Sequence, residues 1–196
     1  MNYKVKRIGL INFWLYDEET FDFEDGKLLL RGSNGSGKSV TMQSFIPLIL
    51  DGNKNPSRLD PFGSKDKRIE DYLLGNADGE QKDEAIGYLF MELYSEQEKR
   101  YRTLGMGLHA KKGRPTDFWG FILKDGRRVG QDFLLYHSQA DKVPCTKREL
   151  RARLGNDNVY VESAKEYKEA VNKNIFGFPD LDMYDEFINL LLQLRS

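Results

Sequence analysis

The strongest chemical signal in the chain is the run Gly32-Ser33-Asn34-Gly35-Ser36-Gly37-Lys38-Ser39, which fits the Walker A pattern G-x-x-x-x-G-K-[ST]. Ordinary residue usage would give such a match by chance in on the order of one chain in a hundred of this length. Gly32, Gly35 and Gly37 let the main chain take conformations closed to other residues and approach a phosphate. The successive amides through Val40, and the positive end of a following helix, would then point at that phosphate. Lys38 is expected on the β- and γ-phosphates as a point charge. The Ser39 hydroxyl is expected on the Mg²⁺ that neutralises the triphosphate. Ser33, Asn34 and Ser36 fill the variable positions. A Gly/Ser linker would need its flanking strand and helix by coincidence.

Hydrolysis needs a second half: an apolar strand ending in an acid that assists Mg²⁺, then a group that orients water. Glu92 in YLFMEL and Asp125 in FILKD imitate it. Glu92 sits inside a continuing strand pattern, however, and Asp125 opens an Asp-Gly turn, so both read as sheet residues. No LSGGQ-like signature occurs, and no residue reads as catalytic. The chain has the sequence of half an active site.

The elements that must position this loop are legible on both sides of it. YKVKRIGLINFWL and ETFDFEDGKLLLRG predict three short strands, with a turn at Asp25-Gly26 and the last strand (Lys27 to Leu30) leading into the glycines. Met42, Phe45, Ile46 and Ile49 then recur at helical spacing; Pro47 should bend that helix and Asp51-Gly52 should end it. DGNKNPSRLDPFGSKD reads as a loop, and RIEDYLL as a short helix. EAIGYLFMELYS, RYRTLGMGLHA and DFWGFILKDGRRVG read as strands of an antiparallel meander, with a hairpin turn at Asp125-Gly126. Helices return at KRELRARLG behind Thr146 and at KEYKEAV behind the capping box Ser163-x-x-Glu166. The final helix, DMYDEFINLLLQLRS, carries Tyr184, Phe187, Ile188 and Leu191 on one stripe. The expected class is α/β with α+β character: a mixed sheet with an antiparallel meander, plus helices.

Of 196 residues, 39% are hydrophobic and 12% aromatic, enough for a packed core. Thirty basic against thirty-one acidic residues leave no whole-molecule field to draw it to nucleic acid or lipid, so any such contact must come from a local patch. The basic clusters are Lys99, Arg100 and Arg102; Lys111, Lys112 and Arg114; and Lys147, Arg148, Arg151 and Arg153. The longest apolar run, Phe45 to Leu50, is short of a membrane span, and the N-terminus shows no signal-peptide pattern; a soluble, cytoplasmic protein without membrane contact is expected. Cys145 is the single cysteine, and with only His109 and His137 beside it no zinc-ligand spacing exists.

Taken together, IGLINFWLYDEETF, GKLLLRGSNGSGKSVTMQSFIPLILDG and SRLDPFGSKDKRIEDYLL resemble the amino-terminal head segment of SMC-like ABC ATPases. Within these they are most similar to the JetC heads of Wadjet anti-plasmid systems and more distantly to MukB-type condensin. The features are Asn12-Phe13 in the first strand, the Asn34-containing loop and the RLDPFGSKDKR loop. FGFPDLDMYDEFINLLLQLR resembles the point where such heads pass into their coiled coil. The resemblance implies that residues 1–196 are the amino-terminal half of a head, broken off near the coiled coil. It implies ATP with Mg²⁺ as the ligand, sandwiched between two heads, and Gln193 as the Q-loop contact to Mg²⁺ or water, a position that a plain helix-surface amide would fill equally well. It implies that a carboxy-terminal half of the same head brings the missing motifs, so this chain alone would not hydrolyse ATP. The implied partners are a second head, kleisin and KITE subunits, DNA, and in Wadjet a TOPRIM-type nuclease. Two other readings stand beside it. One is a self-contained P-loop kinase or small NTPase using Glu92 and a lid arginine, Arg127 or Arg128; the other is a binding module whose P-loop no longer works.

Overall fold

The computed structural model describes residues 3–14, 16–24, 27–28, 44–59, 67–75 and 79–194. Its strands are β1 (Tyr3–Phe13), β2 (Tyr16–Glu24), β3 (Lys27–Leu28), β4 (Glu84–Ser95), β5 (Arg100–Lys111), β6 (Asp117–Leu123) and β7 (Val159–Val161). They form one sheet in the order β3-β2-β1-β4-β5-β6-β7. Every neighbouring pair among these strands is antiparallel. The expected mixture of sheet and helices with an antiparallel meander is seen, but the expected mixed sheet is not: among the described residues every strand pair is antiparallel, and β1 and β2, β4 and β5, and β5 and β6 are joined by short turns, not by helical crossovers.

β4 shows why the sheet lies in the middle of the molecule. Successive side chains of a strand point to opposite faces, so a strand buried on one face alternates and one buried on both does not. In EAIGYLFMELYS, Leu89, Met91 and Leu93 enter one core while Tyr88 and Phe90 enter another. The first core is closed by α1 (residues 44–51), α3 (Ile69–Leu74), α5 (Ala164–Val171) and α6 (Leu181–Leu194). The second is closed by residues 124–146 and by α4 (Lys147–Leu154). A single turn, α2 (Pro56–Leu59), follows α1.

On the second face, glycines and rings sit directly opposite one another. Gly9 pairs with Phe90, Gly105 with Phe90 and Phe121, and Gly107 with Tyr88 and Trp119. A Cβ at Gly9, Gly105 or Gly107 would come closer than 3.0 Å to the Phe90 ring, the Phe121 ring or the Trp119 indole respectively, too close for any side chain. These glycines are the floor on which neighbouring rings lie flat, which accounts for so many glycines in otherwise apolar strands.

Helix termini follow their local signals. Thr146 Oγ1 accepts from the Glu149 N–H at 3.2 Å, and Ser163 Oγ from the Glu166 N–H at 3.1 Å. Helix α1 continues through Pro47 to Asp51, and Gly52 takes φ +69° with its N–H on the Leu48 carbonyl at 2.7 Å.

Three features differ from the sequence reading. Asp125-Gly126 does turn the chain, with Gly126 at φ +87°, but it does not make a hairpin. The Asp125 carboxylate accepts from Arg127 and Asn158, and the chain crosses the second face as irregular backbone. The outer neighbour of β6 is β7, a three-residue strand too short to show a period. Finally, α5 runs into a π-helical turn, Asn172–Phe176, closed by Gly177 at φ +68°. The expected turn at Asp25-Gly26 and the residues from 29 to 43 lie outside the described residues.

Candidate nucleotide site

The residues expected from sequence to hold phosphate, Gly32, Ser33, Asn34, Gly35, Ser36, Gly37, Lys38, Ser39 and Val40, also lie outside the described residues. Their described flanks are β3 on one side and α1, from residue 44, on the other. The scaffold that fixes α1 is therefore what the geometry defines.

At its first described turn, Phe45 meets Phe13 edge-on at 5.0 Å and Tyr72 edge-on at 5.4 Å, while Phe13 and Tyr72 stack at 5.5 Å. Tyr72 also packs on Trp14 at 4.8 Å, and the Trp14 N–H donates to the Tyr72 carbonyl at 2.7 Å. The β1 end, α3 and α1 are thus joined through one aromatic cluster. At the other end of α1, Tyr167 of α5 donates to the Ile49 carbonyl and Tyr184 of α6 to the Leu50 carbonyl, each at 2.5 Å. Terminal helix carbonyls lack intrahelical donors, so two buried hydroxyls here satisfy groups that would otherwise be orphaned. Burial pushes both phenols well up, which keeps them protonated donors. Asp51, the last residue of α1, is buried and its carboxyl is pushed up by that burial, against the ion pair from Arg58 at 2.6 Å and the Asn53 N–H at 3.0 Å. Asp51, Lys54, Arg58, Lys168 and Asp185 line a cleft of about 590 Å³ between the α1 end, α5 and α6.

Gln193 lies on the exposed side of the last described turn of α6, past Tyr184.

Glu92 is fully buried, and its environment decides its role. Arg7 Nε and Nη2 donate to its two oxygens at 3.1 and 2.8 Å, and Arg128 Nη2 and Nε donate to the same oxygens at 2.8 and 3.0 Å. Arg7 Nη2 also donates to the Val129 carbonyl at 2.8 Å, and Arg128 lies over the Tyr101 ring at 4.0 Å. Burial would raise the carboxyl, but the bonds from Arg128 and Arg7 outweigh it and hold it below the ordinary glutamate range. A carboxylate held at both oxygens by two guanidinium groups does not fit a Mg²⁺ ligand. Arg127 is equally committed: it pairs with Asp125 at 2.8 Å and donates to the Arg153 and Leu154 carbonyls at the end of α4. Glu92, Arg127 and Arg128, the acid and lid arginines named for a self-contained kinase, are engaged in structural contacts here. The Arg7–Glu92–Arg128 arrangement escaped sequence reading, although a lone acid in an apolar strand is itself a signal that a partner must exist.

The basic clusters separate by their neighbours. Arg102 pairs with Glu98 at 3.4 Å and donates to the Asn174 carbonyl, and Arg100 donates to the Lys124 carbonyl. Arg153 donates to the carbonyls of Leu134, Tyr136 and His137 and to Cys145 Sγ. Cys145 is buried, and burial pushes its thiol up to about 11. Among the described residues no group of three or more His, Cys, Asp or Glu side chains could hold a metal ion, and no helix is long and apolar enough to cross a membrane.

No protein-family model matches the chain. One stretch of 46 residues is 39% identical to the DNA replication and repair protein RecF of Carboxydothermus hydrogenoformans. That stretch covers 24% of this chain and 13% of the length of RecF.

Proposed function

We propose that this chain is the ATP-binding lobe of an SMC-like ATPase that acts on DNA once its head is complete. The observation that carries the reading is the Gly32–Ser39 run, set in sequence between β3 and α1. The short likeness to a DNA replication and repair protein supports the DNA-related part. Gly32 to Val40 would hold the phosphates, with Lys38 on the β- and γ-groups and Ser39 and Gln193 toward Mg²⁺. Bound Mg²⁺ would neutralise the triphosphate. The engagement of Glu92 by Arg7 and Arg128 argues against a complete hydrolytic site in this chain. The partners that go with the reading are the carboxy-terminal half of the head, a second head, kleisin and KITE subunits, and DNA. The role in the complete assembly is plasmid defence, with a TOPRIM-type nuclease, or chromosome compaction; the resemblance of residues 8–74 goes with either.

Titration calorimetry with ATP and Mg²⁺ tests it. The chain alone should bind weakly and turn over negligibly, a carboxy-terminal half supplied separately should tighten binding, and Lys38→Ala should abolish it. Rapid turnover by the chain alone, lost in Lys38→Ala, would instead establish a self-contained NTPase.

A further inference from the structure

Two basic clusters that are far apart in sequence meet on one surface. The β5–β6 turn carries Lys111, Lys112 and Arg114, with Gly113 at φ +77° making the reversal, and the N-terminus of α4 is held against the start of β6 by the Lys147–Asp117 ion pair at 2.7 Å. One turn further along α4, Arg151 lies over the Tyr160 ring of β7 at 5.1 Å, and Arg148 stands exposed beside it. Of the acids in this area, Asp83 stands beside Lys112, whose N–H donates to the Asp83 carbonyl at 2.9 Å, and the others are engaged. Glu84 pairs with His109 and Lys111, Asp117 with Lys147, and Glu162 accepts from the Tyr160 hydroxyl at 2.8 Å. Among the described residues, the side chains of Lys112, Arg114 and Arg148 make no ion pair or hydrogen bond, and all three are exposed. In a chain of formal net charge -1, the cations Lys111, Lys112, Arg114, Lys147, Arg148 and Arg151 outnumber the acids Asp83, Glu84, Asp117 and Glu162 here, a local positive excess that a folded surface does not need for its own stability.

We propose that this surface, the β5–β6 turn with the exposed face of α4, binds the phosphate backbone of duplex DNA without reading sequence. The choice of DNA rests on the functional reading above; the choice of a polyanionic backbone rests on charge complementarity alone. A single strand would call for uncovered aromatic faces on which bases stack. Tyr160, the half-buried ring of the patch, is covered by Arg151 and tied to Glu162, so the surface offers charges rather than a stacking platform. The Lys99–Arg102 cluster, at the opposite turn of β5, is excluded because Arg100 and Arg102 are turned onto backbone carbonyls.

The test is fluorescence anisotropy of a labelled random-sequence duplex, without nucleotide, over a series of salt concentrations. The paired reversals Arg148→Glu with Arg151→Glu, and Lys112→Glu with Arg114→Glu, should each weaken binding about tenfold or more. Each should also lower the slope of log affinity against log salt by about 2, one contact being worth roughly 0.9. Lys99→Glu with Arg100→Glu should change neither. The proposal is overturned if the unmodified chain does not bind the duplex at low salt, if the folded reversal variants bind like it, if the control pair loses as much, or if single-stranded DNA binds more tightly than duplex. Lys38→Ala, measured alongside, should keep duplex binding. A chain that binds no ATP but still loses duplex binding in the reversals would reject the nucleotide reading and leave this surface standing.

Discussion

Tyr184 of α6 and Leu50 of α1 are joined by a hydroxyl-to-carbonyl hydrogen bond of 2.5 Å, next to an equal bond from Tyr167 to Ile49. The helix that follows the glycine run is therefore pinned at its far end by the two helices that close the chain. Removing one hydroxyl while keeping its ring leaves a buried carbonyl short of its donor. Tyr184→Phe and Tyr167→Phe should each lower unfolding free energy by about 1–2 kcal/mol in urea melts. Because the acceptors are neighbours, the double variant should depart from additivity by about 0.5 kcal/mol or more. Single variants as stable as the parent would show that the donors contribute nothing.

Glu92→Gln should be more damaging. It leaves Arg7 and Arg128 facing each other without a counter-charge. Both keep some solvent access, 17% and 26%, so about 2–4 kcal/mol is expected rather than the loss for a wholly buried pair. The native carboxyl is depressed, so its stabilising contribution is full above the ordinary glutamate value and is lost as the pH falls through the depressed native value. Melts at ~pH 7 and ~pH 3 should therefore show a smaller gap between parent and variant at the acid end. A gap of constant size across that range would contradict the ion-pair account.

Arg153→Lys probes how the second core is roofed. The guanidinium fork reaches the carbonyls of Leu134, Tyr136 and His137 at once, which an ammonium cannot do. A loss of about 2 kcal/mol is expected. The more specific readout is Cys145, whose buried thiol, raised to about 11, should react very slowly with a thiol reagent in the parent and faster in the variant. Unchanged labelling would mean the segment is held by other contacts.

Gly107→Ala should destabilise by about 1–3 kcal/mol, since the added methyl has to displace the buried Trp119 indole. Gly113→Ala, where no atom lies near a new Cβ, tests strain without collision because Gly113 has φ +77°. If Gly107→Ala proves neutral, the ring is not seated on that backbone.

What the sequence disclosed was local. β4, β5 and the α4 and α5 caps follow from runs of a few residues whose period or hydroxyl-glutamate spacing is self-contained. The α1 stop at Asp51-Gly52 was equally readable, and so was the glycine run itself. What escaped was set by partners distant in the chain. Arg7 and Glu92 are 85 positions apart, and nothing in either stretch names the other. The path of residues 124–146 was hidden for the same reason. Asp125-Gly126 carries a hairpin's sequence, but Asn158 and Arg127 take the aspartate and β7 takes the edge. The meeting of the Lys111–Arg114 and Lys147–Arg151 clusters likewise follows from α4 seating Leu150 and Leu154 in the second core, with Lys147 on Asp117, contacts that no spacing rule anticipates.

The glycine floors have a further consequence for how the strands find their alignment. A shift of β6 against β5 by one residue would turn Trp119 and Phe121 toward the opposite core, and a shift by two would put Trp119 opposite His109 in one direction or Phe121 opposite Thr103 in the other. In each of the latter cases one ring keeps a glycine and the other loses it, so the meander carries its own registration marks, and a misaligned sheet would be recognisable by a single indole or phenyl with nowhere to lie.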